Sequence, residues 1–110
     1  MTVQIALGYG WYAAAAAYHF ERAFQELDCT VSYIGLPAPQ RAGYSGTSSL
    51  VAVTESLHAR PDFYLWIDSP FGYFPAEIEL LSIPTACYLI DVHLGHWREA
   101  AARFFDVVFV

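Results

Sequence analysis

The sequence predicts an α/β domain built on a doubly wound, five-stranded parallel sheet, and three observations support this fold class. Short apolar segments alternate with helix-like segments in the order β-α-β-α-β-α-β-α-β along the 110 residues. The strand-like segments are nearly continuous apolar runs, which is typical of strands covered on both faces. A chain of this length forms one domain with a modest core. The alternation implies right-handed crossovers and a Rossmann-like sheet, for which we expect the strand order 3-2-1-4-5.

The first half of the chain contains two predicted strands and two predicted helices. Residues 3–7 form the first strand, Gly8-Tyr9-Gly10 forms a turn, and residues 11–27 form an amphipathic helix. The apolar stripe of this helix consists of Ala13, Ala16, Phe20, Ala23, Phe24 and Leu27. The opposite, polar side carries Glu21, Arg22, Gln25 and Glu26. The second strand covers residues 30–34, and Ser48 or Ser49 caps a short helix that ends near His58.

The second half repeats the alternation and ends in a strand. The predicted strands cover residues 63–67, 84–90 and 105–110, and the predicted helices between them cover residues 75–81 and 95–103. The last strand looks buried, and no loop or helix follows it to cover it. We therefore expect the chain to be the amino-terminal fragment of a longer, two-domain protein.

Charge and cysteine usage exclude several classes of partner and compartment. The net charge is −6, with 5 Lys and Arg against 11 Asp and Glu, which argues against binding to nucleic acid or to an anionic membrane. No apolar run reaches the roughly 18 residues of a membrane span, and no basic-then-apolar signal segment opens the chain. Cys29 and Cys87 lack the C-x-x-C spacing, so we expect reduced thiols in a cytoplasmic protein.

The composition is unusually poor in surface-type residues. Apolar residues make up 56% of the chain and charged residues only 15%, whereas roughly 45–50% apolar residues is usual. Surface of this kind is normally buried against another domain or another copy of the chain. We therefore expect the isolated chain to self-associate.

The stretch 84–96 carries the strongest candidates for catalysis. An apolar strand here ends abruptly in Asp91, His93 and His96. In open α/β sheets, ligands bind just past the carboxyl ends of the strands. Asp91 and His93 are two positions apart, so an extended backbone points them to the same side, where an acid and a neutral imidazole can accept or relay a proton. We predict Asp91 and His93 as catalytic residues, and the alternative is that His93 only holds the loop.

The same histidines also admit a metal site, which we do not expect. The pattern Asp91-x-His93-x-x-His96 offers two imidazoles and a carboxylate, but zinc sites usually need a further ligand at a recognisable spacing. Glu99 is the one additional ligand nearby. We therefore predict no metal.

Two further segments are predicted to bind substrate. Gly8-x-Gly10-x-x-Ala13 fits the spacing of a phosphate-binding turn, although no acid ends the second strand as dinucleotide sites require. The alternative is a turn that needs glycine for a positive φ. Asp68 and Ser69 follow the third strand, where they bind a sugar hydroxyl or, alternatively, cap a turn into Pro70. We assign Gly8, Gly10, Asp68 and Ser69 to substrate binding.

Three segments of the second half share a common rhythm of short motifs. Residues 61–69 read Pro-Asp, an apolar run, then Asp68-Ser69; residues 83–93 read Ile-Pro, an apolar run, then Asp91-Val-His93; residues 105–110 read Phe-Asp and an apolar run. In order and spacing, residues 61–110 resemble the amino-terminal domain of two-domain GT-B glycosyltransferases of the group 1 or spore-maturation-protein type. The resemblance covers the first half of the chain only as a strand, a glycine-rich turn and a helix.

The resemblance implies the acceptor-side half of an enzyme that transfers a sugar from a nucleotide-sugar donor. His93 would contact the transferring sugar or its phosphate, and the turn at Gly8 and Gly10 would face the same cleft. The donor-binding carboxyl-terminal domain would be the missing partner, the 110 residues alone would be inactive, and no cofactor other than the donor substrate is implied. The alternative is a non-catalytic Rossmann-like module that binds a ligand or a protein, in which Asp91 and His93 only order their loop.

Overall fold

A computed structural model describes residues 2–10, 16–36, 49–68, 73–90 and 97–110. The strands are β1 (Gln4–Gly8), β2 (Thr30–Tyr33), β3 (Phe63–Ile67), β4 (Thr85–Tyr88) and β5 (Val107–Phe109). The helices are α1 (Ala16–Glu26), α2 (Leu50–Glu55) and α3 (Trp97–Ala102), with a 3-10 turn at Ile78–Leu80. All strand pairs are parallel, so the predicted α/β class with a five-stranded parallel sheet is confirmed.

The predicted strand order 3-2-1-4-5 is wrong, because the sheet has the order β2-β1-β3-β4-β5. β3 pairs with β1, with Ile5 beside Phe63 and Gly8 beside Trp66. Four of the five residues of β3 are buried, whereas β2 is exposed or half-buried throughout. A strand that is apolar on both faces gains most in the centre of a parallel sheet, and the more polar β2 tolerates the edge.

The bounds of the elements follow the sequence closely in some places and depart from it in others. The predicted strand 63–67 is confirmed, the first strand keeps its predicted length but lies one residue later, and the other three strands are shorter than predicted. The predicted helix 75–81 is reduced to its 3-10 turn, since Glu77 adopts a left-handed φ of 73° just before it. Ser49 is confirmed as the cap of α2 and accepts a hydrogen bond from Ala52 N at 3.2 Å. The Ser49 hydroxyl also donates to Glu77 Oε1 at 2.8 Å, which ties the two elements together.

The buried face of α1 is rotated relative to the predicted stripe. Ala17 and Glu21 are buried, whereas Ala23 is exposed and Leu27 is 73% exposed, so the prediction that Glu21 lies on the polar side is wrong. The reason is the fully buried Tyr9, whose hydroxyl donates to Glu21 Oε2 at 3.2 Å. A buried phenol needs such a partner, and this requirement overrides the apolar periodicity. Residues 11–15, the predicted start of this helix, lie outside the described residues.

The two faces of the sheet are covered unequally. On one face α2, the 3-10 turn and α3 enclose a core centred on Trp66, which stacks on Phe105 with ring centroids 5.6 Å apart. On the other face α1 is the only described helix, and it packs on Leu7, Leu65 and Ile67. An apolar groove of about 570 Å³ remains beside α1 on this second face, over β3, β4 and β5. Its lining includes Phe20, Phe24, Leu65, Tyr88, Val107 and Phe109.

The helices are short. The longest described helix, α1, has 11 residues. Within the described ranges, no helix combines the length and the apolar character that are needed to cross a membrane.

Candidate functional site

The candidate site lies at the carboxyl edge of the sheet, where β1 and β3 end side by side. Gly8 is the last residue of β1 and pairs with Trp66 of β3, and Asp68 follows the end of β3. The chain leaves β1 towards β2 on one side and returns to β3 on the other side. Such a reversal opens a crevice in which doubly wound domains bind ligands. Gly8, Gly10 and Asp68 therefore lie along one edge of the sheet, next to this reversal.

Asp68 is held at this edge by backbone and side-chain contacts. Its amide donates to the Tyr88 carbonyl at 2.9 Å, so Asp68 extends the ladder between β3 and β4. Its Oδ2 accepts from Arg98 Nε of α3 at 2.7 Å. The Asp68 and Arg98 side chains are only 1% and 5% exposed, so this is a buried ion pair with a charge-assisted hydrogen bond. The pair fixes the carboxylate in one orientation.

The second oxygen of this carboxylate is the unusual feature of the site. Asp68 Oδ1 is buried and has no hydrogen-bond partner among the described residues. An unsatisfied acceptor away from water costs about 1–3 kcal/mol, so such atoms occur chiefly where a ligand or an ordered water supplies the donor. Asp68 Oδ1 is therefore poised to accept a hydrogen bond from a hydroxyl, a water or an amine.

The neighbouring thiol of Cys87 does not act as a nucleophile. Cys87 lies on β4 and is fully buried. Burial, assisted by the negative charge of Asp68, raises the pKa of the Cys87 thiol to about 11. The thiolate is the reactive form, so this group is inert near neutral pH. Cys87 and Cys29 are both free thiols.

Tyrosine hydroxyls fasten the segments that follow β1 and β2. The Tyr33 hydroxyl donates to the Tyr9 carbonyl at 3.0 Å. The hydroxyls of Tyr64 and Tyr73 reach the Ile34 carbonyl at 3.4 and 3.2 Å. Backbone carbonyls that would otherwise be buried without partners are satisfied in this way. The tyrosines thereby fix the segments that follow β1 and β2 at the carboxyl edge of the sheet.

Gly8 has a packing role that the sequence pattern did not indicate. A Cβ atom at Gly8 would lie 1.9 Å from Tyr64 Oη and 2.9 Å from the Ile34 carbonyl oxygen. Gly8 does not adopt a left-handed φ, so the alternative of a turn that requires positive φ does not hold at this position. The missing side chain makes room for a tyrosine hydroxyl, whether or not a ligand also approaches. Gly10 is buried at the end of the described segment 2–10.

The acids of two resemblance segments lie at the opposite, amino edge of the sheet. Asp62 Oδ2 accepts from Gln4 N at 2.7 Å, and Asp106 Oδ2 accepts from Thr85 N at 2.8 Å. Each carboxylate caps the start of the neighbouring strand and thereby fixes its register. The Pro-Asp and Phe-Asp parts of the rhythm are thus explained by strand pairing, and Asp68 is the described acid of these segments that reaches the carboxyl edge.

Several predicted site residues cannot be placed. Ser69, Asp91 and His93 lie outside the described residues, as does His96. Within the described part of the chain, no cluster of three or more His, Cys, Asp or Glu could hold a metal ion. Sequence reasoning missed Arg98, although the sequence contained a signal for it. A buried acid at a strand end needs a cation, and the chain has only 5 Lys and Arg from which to choose.

Known proteins give no further guide to this site. Comparison of the chain with protein-family models, with curated proteins and with solved structures finds no match. Fold and geometry alone define the class, which is a parallel α/β domain with a buried, incompletely satisfied carboxylate at its carboxyl edge.

Proposed function

We propose that the chain is the acceptor-side half of a glycosyltransferase that uses a nucleotide-sugar donor. The observation that carries the proposal is the buried Asp68 carboxylate, in which one oxygen is fixed by Arg98 and the other has no hydrogen-bond partner among the described residues. Trp97 adds an aromatic surface at the start of α3, because its side chain is 40% exposed and the Arg98 guanidinium carbon lies 4.7 Å from its ring. A carboxylate beside an exposed aromatic ring suits a sugar, which offers hydroxyls and an apolar ring face.

In this proposal the residues that follow β3 and those that follow β4 have different roles. Asp68 and Ser69, which follow β3, bind hydroxyls of the acceptor, and the turn at Gly8 and Gly10 bounds the same cleft. Asp91 and His93 follow β4 and act on the proton of the attacking hydroxyl. The donor sits on a separate donor-binding domain, so the 110 residues alone do not turn over. The nucleotide-sugar is the only small molecule required besides the acceptor, and the reaction takes place in the cytoplasm.

A non-catalytic module that binds an apolar ligand or a protein is the second candidate. The observation that favours it is the apolar groove of about 570 Å³ on the face opposite α2 and α3. In that case the Asp68–Arg98 pair serves only to join β3 to α3.

In the first test, sugars are added to the ¹⁵N-labelled 110-residue chain, and NMR monitors their binding. Monosaccharides, simple glycosides and nucleotide-sugars are titrated separately. We expect the amides of Gly8 and Asp68 and the indole of Trp97 to shift with at least one glycoside. The amides of Asp62 and Asp106, at the other edge, should stay unchanged. Asp68→Asn should abolish the response, whereas the matched change Asp106→Asn should retain it.

Two outcomes of this titration would count against the proposal. If none of these signals shifts at millimolar glycoside, the chain does not bind sugars at this site. Shifts confined to residues of the groove, such as Phe24 and Tyr88, would favour the second candidate instead.

The second test measures transfer from a nucleotide-sugar by the product of the full reading frame. His93→Ala should lower the rate roughly 10²–10⁴-fold, as expected for loss of a general base, with little change in thermal unfolding. Asp91→Asn should lower the rate less if Asp91 only orients His93. A normal rate in a destabilised His93→Ala protein would assign His93 to structure.

A further inference from the structure

An amino-edge cleft, separate from the site at Asp68, opens between α2 and the segment that leads from the 3-10 turn into β4. Arg60 of its lining precedes β3 and Ile83 precedes β4, so the cleft lies at the amino edge of the sheet. Its volume of about 420 Å³ falls within the roughly 300–1,000 Å³ of small-molecule sites. The hydrogen bond of 2.8 Å from Ser49 to Glu77 joins α2 to the 3-10 turn, so the two sides of the cleft are held together.

The described lining of the amino-edge cleft is mainly aliphatic and contains no aromatic ring. Its aliphatic members are Val51, Leu57, Leu80, Leu81 and Ile83. The side chain of Leu80 is 62% exposed, so apolar surface at the cleft is left uncovered. Burial of this surface favours a ligand with an apolar part. A wall without rings suits a branched aliphatic group rather than the face of a sugar.

Arg60 supplies a positive charge at this cleft. Its Nη2 donates to Ser82 Oγ at 3.2 Å, and Arg60 forms no ion pair with any acid in the described ranges. A guanidinium carries five N–H donors in a planar fork that matches a carboxylate. Ser82 accepts from Arg60 and can therefore donate its own hydroxyl proton. The two side chains together suit the carboxylate of a ligand.

Two adjacent residues of α2 supply hydrogen-bond acceptors at the same cleft. Glu55 is exposed and, in the part of the chain that the structure describes, forms no ion pair with Arg60. Thr54 is only 7% exposed, and its Oγ1 is buried without a hydrogen-bond partner among the described residues. Threonine populates two χ1 rotamers in a helix, and no hydrogen bond holds the present one, so the hydroxyl can turn to a ligand. A carboxylate beside such a hydroxyl suits an ammonium group.

We propose that the amino-edge cleft binds a free aliphatic α-amino acid of the leucine type. Such a ligand carries a carboxylate and an ammonium group on one carbon, next to a branched apolar side chain, and so matches all three features of the lining. Arg60 and Ser82 hold the carboxylate, and Glu55 and Thr54 Oγ1 accept from the ammonium group. The aliphatic side chain lies against the apolar wall. This site is at the opposite edge of the sheet from Asp68 and does not depend on the proposed glycosyltransferase role.

The first experiment is an NMR titration of the ¹⁵N-labelled full chain with L-leucine and three analogues. N-acetyl-L-leucine lacks the ammonium group, L-leucinamide lacks the carboxylate, and glycine lacks the side chain. We expect leucine to bind and each analogue to bind at least ~10-fold more weakly, because each loses one matched group. The first two analogues also resemble the carboxyl and amino termini of a peptide. Binding of either one as tightly as leucine would indicate a peptide ligand and would overturn the proposal.

The second experiment pairs each charged residue with the ligand group that it contacts. Arg60→Gln should weaken leucine at least ~10-fold and leave the affinity for leucinamide unchanged. Glu55→Gln should weaken leucine similarly and leave the affinity for N-acetyl-leucine unchanged. Arg103→Gln and Glu26→Gln are the matched controls and should change neither affinity. All four positions are exposed, so these variants should fold as the unaltered chain does.

Thr54→Val separates a binding role from a structural one. The change keeps the shape of the side chain and removes a buried, unpaired hydroxyl, so thermal unfolding should not move to lower temperature, whereas leucine affinity should fall. Absence of leucine binding to the unaltered chain at tens of millimolar would overturn the proposal, and so would equal effects of Arg60→Gln and Arg103→Gln. Leucine-induced shifts at the carboxyl edge, without shifts at Val51 and Ile83, would also overturn it.

Discussion

The amino and carboxyl edges of the sheet both carry aspartates, and the two edges use them differently. At the amino edge, Asp62 and Asp106 remain exposed, and their carboxylates accept backbone amides of β1 and β4. At the carboxyl edge, Asp68 is buried, has one oxygen on Arg98 and keeps the other without a described partner.

The difference follows from the direction of parallel strands. An acid just before a strand lies next to the unpaired backbone amides at the start of the neighbouring strand. Its carboxylate accepts hydrogen bonds from these amides and is therefore not available to a ligand. An acid just after a strand meets the loops and helix starts that follow, and here Asp68 is held by a side chain, that of Arg98. An acid before a strand therefore fixes the register of the sheet, whereas an acid after a strand can still bind a ligand.

Removal of the counter-charge at the carboxyl edge should have the largest effect. Arg98→Met leaves the buried Asp68 carboxylate unpaired, which should lower the free energy of unfolding by about 3–5 kcal/mol. Urea unfolding at neutral pH measures this loss. Arg22→Met, at an exposed position of α1, is the control and should change stability little. A loss in Arg98→Met as small as that in Arg22→Met would show that Asp68 is not held by this pair.

The crowding at Gly8 should give the next largest effect. Gly8→Ala forces a methyl group to within 1.9 Å of Tyr64 Oη, and overpacking of this kind costs about 1–3 kcal/mol. Tyr64→Phe removes the clashing oxygen, so the double variant should recover part of the loss. Thermal unfolding of the two single variants and the double variant tests this coupling. Strictly additive losses would contradict the packing role assigned to Gly8.

Removal of the acids at the amino edge should lower the free energy of unfolding by less, and the two acids should differ in their effect. Asp106→Ala removes the acceptor of the Thr85 amide and hydroxyl, at 2.8 and 3.3 Å, and should lower the free energy of unfolding by about 1–2 kcal/mol. Asp62→Ala removes only the bond from Gln4 N and should cost about 0.5–1.5 kcal/mol. Neither change should alter sugar binding. A loss of sugar binding in either variant would contradict the assignment of a purely structural role to the acids at the amino edge.

Near neutral pH the effect of Cys87 on stability is the smallest, because it appears only at high pH. Its pKa is raised from 9.0 to about 11, because burial and then the charge of Asp68 disfavour the thiolate. Above pH 9.0 the unfolded chain loses this proton while the folded chain keeps it, so the contribution of Cys87 to stability should be constant below about pH 9 and be lost towards about pH 11. Cys87→Ala should show a shallower decline over this range. Identical pH profiles for the two proteins would show that Cys87 is not the titrating group.

Sequence reasoning succeeded where one local signal sufficed. The strand β3 was predicted with the correct bounds, because five apolar residues stand between Asp62 and Asp68. The cap at Ser49 was also predictable, since a hydroxyl before an apolar helical pattern marks a helix start. The all-parallel class followed from the alternation of elements rather than from any single residue.

The failures share a different cause, which is that each depends on a contact between distant segments. The place of β3 beside β1 depends on which strand tolerates an edge, and the apolar pattern alone does not rank the strands. Glu21 is buried because Tyr9 needs a partner, a demand invisible within the helix itself. Arg98 pairs with Asp68 across 30 positions, so only the folded chain brings the two together.

The central position of β1 has a consequence for how the chain is made. β1 precedes the other described strands in the chain, yet one of its two neighbours is β3, and the hydrogen bond from Gln4 N to Asp62 spans 58 positions. At ribosomal rates of about 5–20 residues per second, β1 waits on the order of 3–12 seconds before that partner exists. During this interval its apolar edge is open to chaperones or to nascent chains on neighbouring ribosomes, so translation speed between the codons of β1 and those of β3 should influence the yield of folded protein.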